Sequence, residues 1–245
     1  MKKFGLIGYP LVHSFSKRFF TGKFETENID ARYDLYELDD ISEFTGLIQR
    51  IEFSGLNVTI PYKEKIIPFL NELDETAEKI GAVNVIKFIR ENDKLILKGY
   101  NSDVIGFGNS LEPFLQSFHK NALILGTGGA SKAIDYVLNK LGIDTQFVSR
   151  TAQSGRLTYA DLNQEIIEKY KIIVNASPVG TFPHTDECPD IPYQFLTEKH
   201  LLFDVVYNPA ETLFLKKGRE QGAKGLNGEN MLKEQAMAAW EIWNQ

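Results

Sequence analysis

Short apolar runs of strand length alternate with helical patterns along the chain. The predicted strands cover residues 4–8, 33–37, 55–61, 84–89, 95–99, 121–125, 144–149, 172–176 and 201–206. The predicted helices cover residues 16–28, 64–73, 75–80, 103–118, a segment that ends at residue 141, then 159–170 and 231–243. Strands that alternate with helices in this way predict an α/β protein with parallel sheets.

The strands and helices form two successive runs, and the boundary between them falls near residues 103–120. The chain has 245 residues, which allows one large domain or two of roughly 100 to 150 residues each. Hydrophobic residues make up 43% of the chain and charged residues 24%. This composition excludes intrinsic disorder, which requires low hydrophobicity and high net charge.

Charge and cysteine content narrow the class of protein. The 27 Lys and Arg against 33 Asp and Glu give a net charge of −6, which argues against a general nucleic-acid binder. Cys188 is the one cysteine, which excludes an internal disulfide and fits a reducing compartment. The apolar run near the N-terminus ends at Pro10, too early for a signal peptide, and no run reaches the length of a membrane span. We expect a soluble cytoplasmic protein.

A glycine-rich turn opens the second run. The strand at residues 121–125 leads into Gly126, Gly128 and Gly129, and a helix follows. Such a turn lets backbone N–H groups approach a pyrophosphate at a helix N-terminus. Ser131 stands where the third glycine of a dinucleotide fingerprint is expected, so a glycine-rich turn without a cofactor is the alternative interpretation.

The end of the next strand indicates which dinucleotide would bind. An NAD site places Asp or Glu about 20 residues after the glycines to hold the ribose 2′-hydroxyl. Here the strand ends in Ser149, Arg150 and Thr151. An Arg flanked by hydroxyls suits a 2′-phosphate and predicts NADP. Arg156 either adds charge to this site or is an ordinary solvated residue.

Polar residues follow several strands of the first run. Ser14 and Ser16 precede a helix and would cap it or bind an oxyanion. Thr59 and Lys63 follow one strand, Asn84 precedes another, and Asp103 opens a helix. Taken singly, helix capping or surface exposure explains each of these residues at least as well as a site does.

Taken together, these segments resemble the shikimate dehydrogenase family. The shared patterns are P-x-x-H-S-x-S at 10–16, N-V-T-x-P-x-K at 57–63, G-A-V-N at 81–84, N-x-D-x-x-G at 101–106, G-x-G-G-A at 126–130 and M-L-x-x-Q at 231–235. Residues 175–183 and 203–209 also resemble later motifs of the family. The motifs occur in the family's order and span nearly the whole chain.

The resemblance implies two domains. Residues 1–103 plus 225–245 would form an α/β substrate-binding and catalytic domain, and residues 104–224 a Rossmann-type NADP-binding domain. The implied activity is the NADPH-dependent, reversible reduction of 3-dehydroshikimate to shikimate in chorismate and aromatic amino-acid biosynthesis. The implied partners are small molecules, with no nucleic acid, membrane or metal, and the protein would be a monomer or homodimer.

The resemblance also implies roles for individual residues. Lys63 would be the general acid/base, with Asp103 beside it to keep the amine charged. The implied substrate contacts are Ser14, Ser16, Thr59, Asn84, Asp103, Tyr207 and Gln235. The implied cofactor contacts are Glu75, Gly126, Thr127, Gly128, Gly129, Ala130, Ser149, Arg150, Thr151, Val205 and Gly228. His13 lies in the first motif without an assigned role.

Three other functions share parts of this pattern. A quinate/shikimate dehydrogenase of broader substrate or cofactor use is the main alternative, although Ser14, Ser16 and Thr59 favour shikimate. A methylene-tetrahydrofolate dehydrogenase is disfavoured by the serine pair and the N-x-D motif. A non-catalytic quinate or shikimate sensor is disfavoured because Lys63 and Asp103 are both present.

Overall fold

A computed structural model of the chain describes residues 1–11, 14–92 and 94–245. The chain forms two compact units. The first contains Met1–Gly106 and Leu232–Gln245, and the second contains Phe107–Met231. The C-terminal helix therefore returns to the unit that the N-terminal strands build.

The first unit is built on a mixed six-stranded sheet. Its strands are β1 (Lys2–Gly8), β2 (Ala31–Glu37), β3 (Gly55–Val58), β4 (Glu72–Leu73), β5 (Val85–Glu91) and β6 (Lys94–Tyr100), in the order β2-β1-β3-β5-β6-β4. β1 runs parallel to both β2 and β3, whereas β5 runs antiparallel to β3 and β6. The helices of this part are α1 (Phe15–Thr26), α2 (Glu43–Arg50), α3 (Glu75–Ile80), the start of α4 (Asp103–Leu111) and most of α8 (Glu229–Asn244).

The continuous apolar run in β1 reflects burial on both faces of this sheet. Phe4 packs with Phe20 and Trp243 on one side, whereas Ile7 joins a separate core with Leu47 and Phe53. Because successive strand residues point to opposite faces, a strand covered on both sides is apolar at almost every position. The layers of this unit are therefore helix, sheet and helix.

The second unit is built on a six-stranded parallel sheet. Its strands are β7 (Asn121–Leu125), β8 (Asp144–Ser149), β9 (Leu157–Thr158), β10 (Ile172–Asn175), β11 (Leu201–Asp204) and β12 (Lys224–Leu226), in the order β12-β11-β10-β7-β8-β9. Its helices include α5 (Gly129–Lys140), α6 (Gln164–Lys169) and α7 (Leu213–Glu220). The strand order reverses beside β7, which is where doubly wound sheets form their ligand crevice. This is a Rossmann-type arrangement, as the sequence predicted.

The predicted helix at residues 64–73 is wrong. Ile67–Phe69 forms a short 3-10 turn that contains Pro68, and the chain then enters β4. Asn71 ties the segment to β6, because its side chain accepts a hydrogen bond of 2.8 Å from the Leu97 amide. Long-range pairing with β6 therefore overrides the local helical pattern.

Two further predicted helices are shorter than expected. α4 ends at Leu111, and a 3-10 turn at Glu112–Phe114 with Pro113 replaces the rest of the predicted helix. The predicted helix at residues 159–170 splits, because Asn163 caps α6 by accepting a hydrogen bond of 3.0 Å from the Ile166 amide. The elements α2, α7, β4, β9 and β12 were not predicted. None of the helices described in residues 1–11, 14–92 and 94–245 is long and apolar enough to cross a membrane.

Candidate active site

An ion pair lies at the centre of the polar residues in the first unit. Lys63 Nζ is 2.6 Å from Asp103 Oδ2, and the two side chains are 15% and 7% exposed. The Lys63 carbonyl accepts a hydrogen bond of 2.7 Å from the Val83 amide, which fixes the turn after β3. Asp103 opens α4, where the helix dipole favours negative charge. The fold thus holds an amine and a carboxylate in contact, with the amine still reachable from solvent.

The second oxygen of Asp103 is held by a network of amides. Asn84 Nδ2 donates to Asp103 Oδ1 over 2.9 Å, and Asn84 Oδ1 accepts from the Ser102 amide over 2.7 Å. Gln235 of α8 approaches from the C-terminal segment, with Oε1 3.5 Å from both Asn84 Nδ2 and Ser102 Oγ. With one oxygen bound to Asn84, Asp103 presents the other to Lys63.

Three neighbouring strands bring this cluster to one edge of the sheet. The Asn84 carbonyl accepts from the Val58 amide at the end of β3, and the Asn84 amide donates to the Tyr100 carbonyl at the end of β6. Asn101 then turns the chain into α4, because its Oδ1 accepts a hydrogen bond of 3.1 Å from the Asp103 amide. The predicted residues Lys63, Asn84, Asp103 and Gln235 are therefore brought together.

A chain of polar groups connects α1 to this cluster. The Tyr33 hydroxyl donates to Asn57 Oδ1 over 2.7 Å, and Asn57 Nδ2 donates to the Asn84 carbonyl over 3.2 Å. Burial raises the pKa of Tyr33, and a hydrogen bond with the Ser16 hydroxyl opposes that rise. Ser16 is therefore tied to the residues around Asn84 through two buried side chains.

The remaining predicted substrate residues of this unit lie near the ends of β1 and β3. Ser14 caps α1, because its Oγ accepts a hydrogen bond of 3.2 Å from the Lys17 amide. Thr59 follows β3, and its amide donates to the Ile7 carbonyl over 2.9 Å. His13 falls outside the described residues, as does Val12.

Glu75 lies apart from these contacts. It is in the first turn of α3, and its carboxylate pairs with Lys79 Nζ at 2.6 Å with 80% of the Glu75 side chain exposed. Its predicted place near the nicotinamide stays a prediction.

The glycine turn of the second unit has the shape that the sequence predicted. Gly126 has φ +118°, and a Cβ there would lie 3.1 Å from the Ala176 carbonyl oxygen. Gly128 is the N-cap of α5, and a Cβ there would meet nothing within 4 Å. The first N–H groups of a helix have no acceptor within it, so an open helix N-terminus follows the turn. Ser131, in place of the third glycine, is fully buried and donates to the Gly128 carbonyl over 2.6 Å.

Ser149, Arg150 and Thr151 lie beside this turn, because β8 pairs with β7 and the Gly126 amide donates to the Val148 carbonyl over 3.0 Å. Ser149 Oγ accepts a hydrogen bond of 3.2 Å from the Thr151 amide. This bond closes a small turn that leaves Arg150 exposed. An exposed guanidinium next to a helix N-terminus suits a phosphate group.

Val205 and Gly228 are also adjacent. A Cβ on Gly228 would lie 2.2 Å from the Val205 carbonyl oxygen, and the Gly228 amide donates to the Val206 carbonyl over 3.1 Å. The close approach explains why glycine occupies this position. Tyr207 follows in the same loop and is half-buried.

Comparison with known proteins decides the family. A sequence model described as the shikimate dehydrogenase substrate binding domain matches residues 6–86. The chain is 36% identical to the shikimate dehydrogenase (NADP(+)) of Methanosphaera stadtmanae over 258 aligned residues, which cover 98% of this chain and 90% of the relative. The chain belongs to the shikimate dehydrogenase family.

Solved structures of the family share the whole fold. The crystal structure of shikimate dehydrogenase from Aquifex aeolicus superimposes with a TM-score of 0.88 and 35% identity, and covers 100% of this chain and 92% of that one. A quinate dehydrogenase from Corynebacterium glutamicum in complex with NAD gives a TM-score of 0.86 at 27% identity, over 99% and 93% of the two chains. The fold alone therefore does not separate shikimate from quinate as substrate.

Two residues contact the site but are not among the residues that the family motifs indicated. Ser102 is fully buried between Asn101 and Asp103 and contacts Asn84 through both its amide and its hydroxyl. Tyr33 is buried in β2 and looked like an ordinary strand aromatic in the sequence. The polar run at residues 101–103 is a signal that could have drawn attention to Ser102. The sequence around Tyr33 has no feature that predicts its contact with Asn57, which is 24 residues away.

Proposed function

We propose that this chain catalyses the NADPH-dependent, reversible reduction of 3-dehydroshikimate to shikimate, in chorismate and aromatic amino-acid biosynthesis. The observation that carries the proposal is the 2.6 Å contact between Lys63 and Asp103, which falls in the unit matched by the family's substrate-binding domain. In this proposal the enzyme acts in the cytoplasm on small molecules, as a monomer or homodimer.

Lys63 is the general acid/base of the proposed reaction. NADPH, when bound, would supply a hydride to the ketone carbon, and the ketone oxygen would then need a proton. The Lys63 ammonium donates that proton and stabilises the developing alkoxide. Asp103, 2.6 Å away, holds the amine in place. In the oxidative direction Lys63 accepts the proton of the substrate hydroxyl.

The polar residues of the first unit fit a substrate with one carboxylate and several hydroxyls. The Ser14 and Ser16 hydroxyls would bind the carboxylate, and Thr59, Asn84 and Gln235 have the donors and acceptors that ring hydroxyls require. Tyr207 is a further proposed substrate contact. We assign substrate binding to residues 1–103 plus 225–245.

The glycine turn and the end of β8 fit NADP. The open space over Gly128 and the first N–H groups of α5 would accept the pyrophosphate. Arg150, with Ser149 and Thr151, would bind the 2′-phosphate. Thr127, Gly129, Ala130 and Val205 complete the proposed cofactor contacts in residues 104–224. Gly228, just beyond that range, is a further proposed contact, and Glu75 is proposed at the nicotinamide end.

Quinate oxidation is the second candidate, because the quinate dehydrogenase of Corynebacterium glutamicum shares the fold. Quinate has a saturated ring and one more hydroxyl than shikimate. The presence of Ser14, Ser16 and Thr59 favours shikimate.

A steady-state assay of four substrate and cofactor pairs separates these functions. Shikimate and quinate are each oxidised with NADP⁺ and with NAD⁺, and kcat/KM is compared. We expect shikimate with NADP⁺ to give the highest value. A preference for NAD⁺ would contradict the role of Arg150, and activity on quinate alone would refute the proposed substrate.

A further inference from the structure

Two family-like segments, residues 175–183 and 203–209, have no full role in the proposed reaction. Their polar residues Asn175 and Asp204 are the last residues of β10 and β11 and face each other in the sheet register. Both side chains are 0% exposed. Two polar side chains completely buried at the carboxyl edge of a Rossmann-type sheet require an explanation.

Asp204 ties the loop that follows it to the next helix. Its Oδ1 accepts from the Val206 amide over 3.0 Å and from Asn175 Nδ2 over 2.9 Å. Its Oδ2 accepts from the Thr212 hydroxyl over 2.6 Å, and Thr212 Oγ1 in turn accepts from the Leu215 amide at the start of α7. Both ends of the segment between Asp204 and Thr212 are therefore fixed by one carboxylate.

Asn175 extends the network to a second loop. Its Oδ1 accepts from the Ser177 amide over 3.1 Å and from the Ser177 hydroxyl over 2.6 Å, and its Nδ2 also donates to the Val179 carbonyl over 3.2 Å. The Asn175 carbonyl accepts from the Val205 amide over 3.0 Å. The loop around Val205 is thus held by Asn175 as well as by Asp204.

The network suits a carboxylate. Among the described residues, Asp204 accepts from an amide N–H, an Asn NH₂ group and a Thr hydroxyl, and a carboxylate has only acceptors. Asn at this position would turn its NH₂ group toward one of these partners, and only the Thr212 hydroxyl has an acceptor for it, at the loss of the bond that Thr212 donates. Burial raises the pKa of Asp204 to about 6, and the three hydrogen bonds that it accepts act against that rise.

The loop held in this way carries residues with proposed roles. Val205 is a proposed cofactor contact, as is Gly228. The Val205 carbonyl lies so close to Gly228 that a side chain at position 228 would have no room. Tyr207, a proposed substrate contact, is one residue beyond the anchored Val206 amide. A shift of about 1 Å in such a loop would be enough to misplace both.

We propose that Asp204 and Thr212 are positioning residues, which hold the loop at residues 205–207 in the geometry that the reaction needs. This inference rests on the proposed function. It predicts that loosening the network impairs turnover through Tyr207 rather than through a general loss of structure.

Thr212→Val and Thr212→Ser are the matched pair that tests it. Valine keeps the shape of threonine but removes the hydroxyl, whereas serine keeps the hydroxyl that donates to Asp204. We expect Thr212→Val to lower kcat/KM for shikimate about tenfold, with Thr212→Ser within twofold of the parent. Urea unfolding and NADP⁺ titration of each variant show whether folding and cofactor binding survive.

A double-mutant cycle with Tyr207→Phe distinguishes positioning from a structural role. If Thr212 acts through the loop, Thr212→Val should add little to the kcat/KM loss of Tyr207→Phe. Independent losses that multiply would overturn the inference, as would a Thr212→Val enzyme within twofold of the parent. If Thr212→Val fails to fold, the same cycle is run with Thr212→Ala, which also removes the hydroxyl but places less bulk at the site. If the parent enzyme does not turn over shikimate, the proposed function is overturned, and this inference with it. If the parent is active and the two losses of kcat/KM multiply, only the inference is overturned.

Discussion

The two units each bury an aspartate at the end of a strand or the start of a helix, and they stabilise it in opposite ways. Asp103 in the first unit has an ammonium group 2.6 Å away and an amide on its other oxygen. Asp204 in the second unit accepts hydrogen bonds from neutral donors of Asn175, Val206 and Thr212. The same side chain is therefore a partner of a charge in one unit and an anchor for backbone in the other.

The comparison indicates that the surroundings of a carboxylate are related to its role. An ion pair that solvent still reaches leaves the Lys63 amine accessible to a ligand. A carboxylate that is 0% exposed and bound by neutral donors fixes the groups that donate to it. We therefore propose proton transfer for the first unit and loop geometry for the second, and the following changes test that contrast.

The largest effect is expected at Lys63. Lys63→Ala removes the proposed proton donor, so kcat for shikimate oxidation should fall by at least about 10³-fold, within the range for lost general acid/base catalysis. Urea unfolding and NADP⁺ binding should stay close to the parent. Lys98→Ala, which breaks an ion pair with Glu72 on β4, is the matched control and should keep kcat within twofold. Near-normal turnover in Lys63→Ala would refute the role.

A smaller loss is expected at Asp103. Asp103→Asn keeps the shape and removes the charge, so Lys63 loses the group that holds it in place. We expect kcat to fall about 10²-fold, because the general acid/base itself remains. Steady-state kinetics at one pH measures this. A loss as large as that of Lys63→Ala would contradict the supporting role of Asp103 and indicate that the two residues act as one unit.

Asp204→Asn should remove a pH-dependent loss of stability. Burial raises the pKa of Asp204 to about 6 from an ordinary value of 3.8, so between about pH 4 and pH 6 the folded protein holds a proton that the unfolded chain releases. The free energy of unfolding of the parent therefore falls as pH rises through this window, by about 3 kcal/mol from this group. Urea unfolding of parent and variant across pH 4 to 7 measures the difference.

Two buried histidines of the second unit, His119 and His200, change the stability in the opposite direction. Burial lowers the pKa of His119 and His200, so their contribution to stability is lost as pH falls below the ordinary histidine range. Both histidines remain in the Asp204→Asn variant and cancel in the difference. A parent-minus-variant difference that does not change with pH would contradict the assignment to Asp204.

The smallest effect is expected at Glu211, a carboxylate in the segment between Asp204 and Thr212. It pairs with Arg219 over 2.8 Å at the surface, with the two side chains 49% and 61% exposed. Exposed pairs contribute little to stability, so Glu211→Ala should leave the unfolding midpoint and kcat/KM unchanged within error. A clear loss of activity would show that the loop depends on this surface pair as well as on Asp204.

The local signals in the sequence were sufficient for most of the fold. Strand-length apolar runs predict β1, β7, β10 and β11 to within a few residues, because strands buried on both faces are apolar along their length. The predictions for β5, β6 and β8 are as close, although these strands are only partly buried. The turn at Gly126 and Gly128 was predicted from glycines between a strand and a helix. The segment at residues 64–73 was mispredicted, because its pairing partner Leu97 lies far along the chain.

Residue types and their spacing are enough to indicate the chemistry available to this protein: a lysine and an aspartate in family-like motifs, a glycine turn, and an arginine where an NAD site has an acid. How those groups meet depends on the fold. Lys63 and Asp103 are 40 residues apart, and Asn84 and Gln235 are 151 apart. The environments of Asp103 and Asp204 also emerge only in the fold. The physical reason is that helix and strand periodicity is read within a few residues, whereas burial and ion pairing depend on segments that only folding brings together.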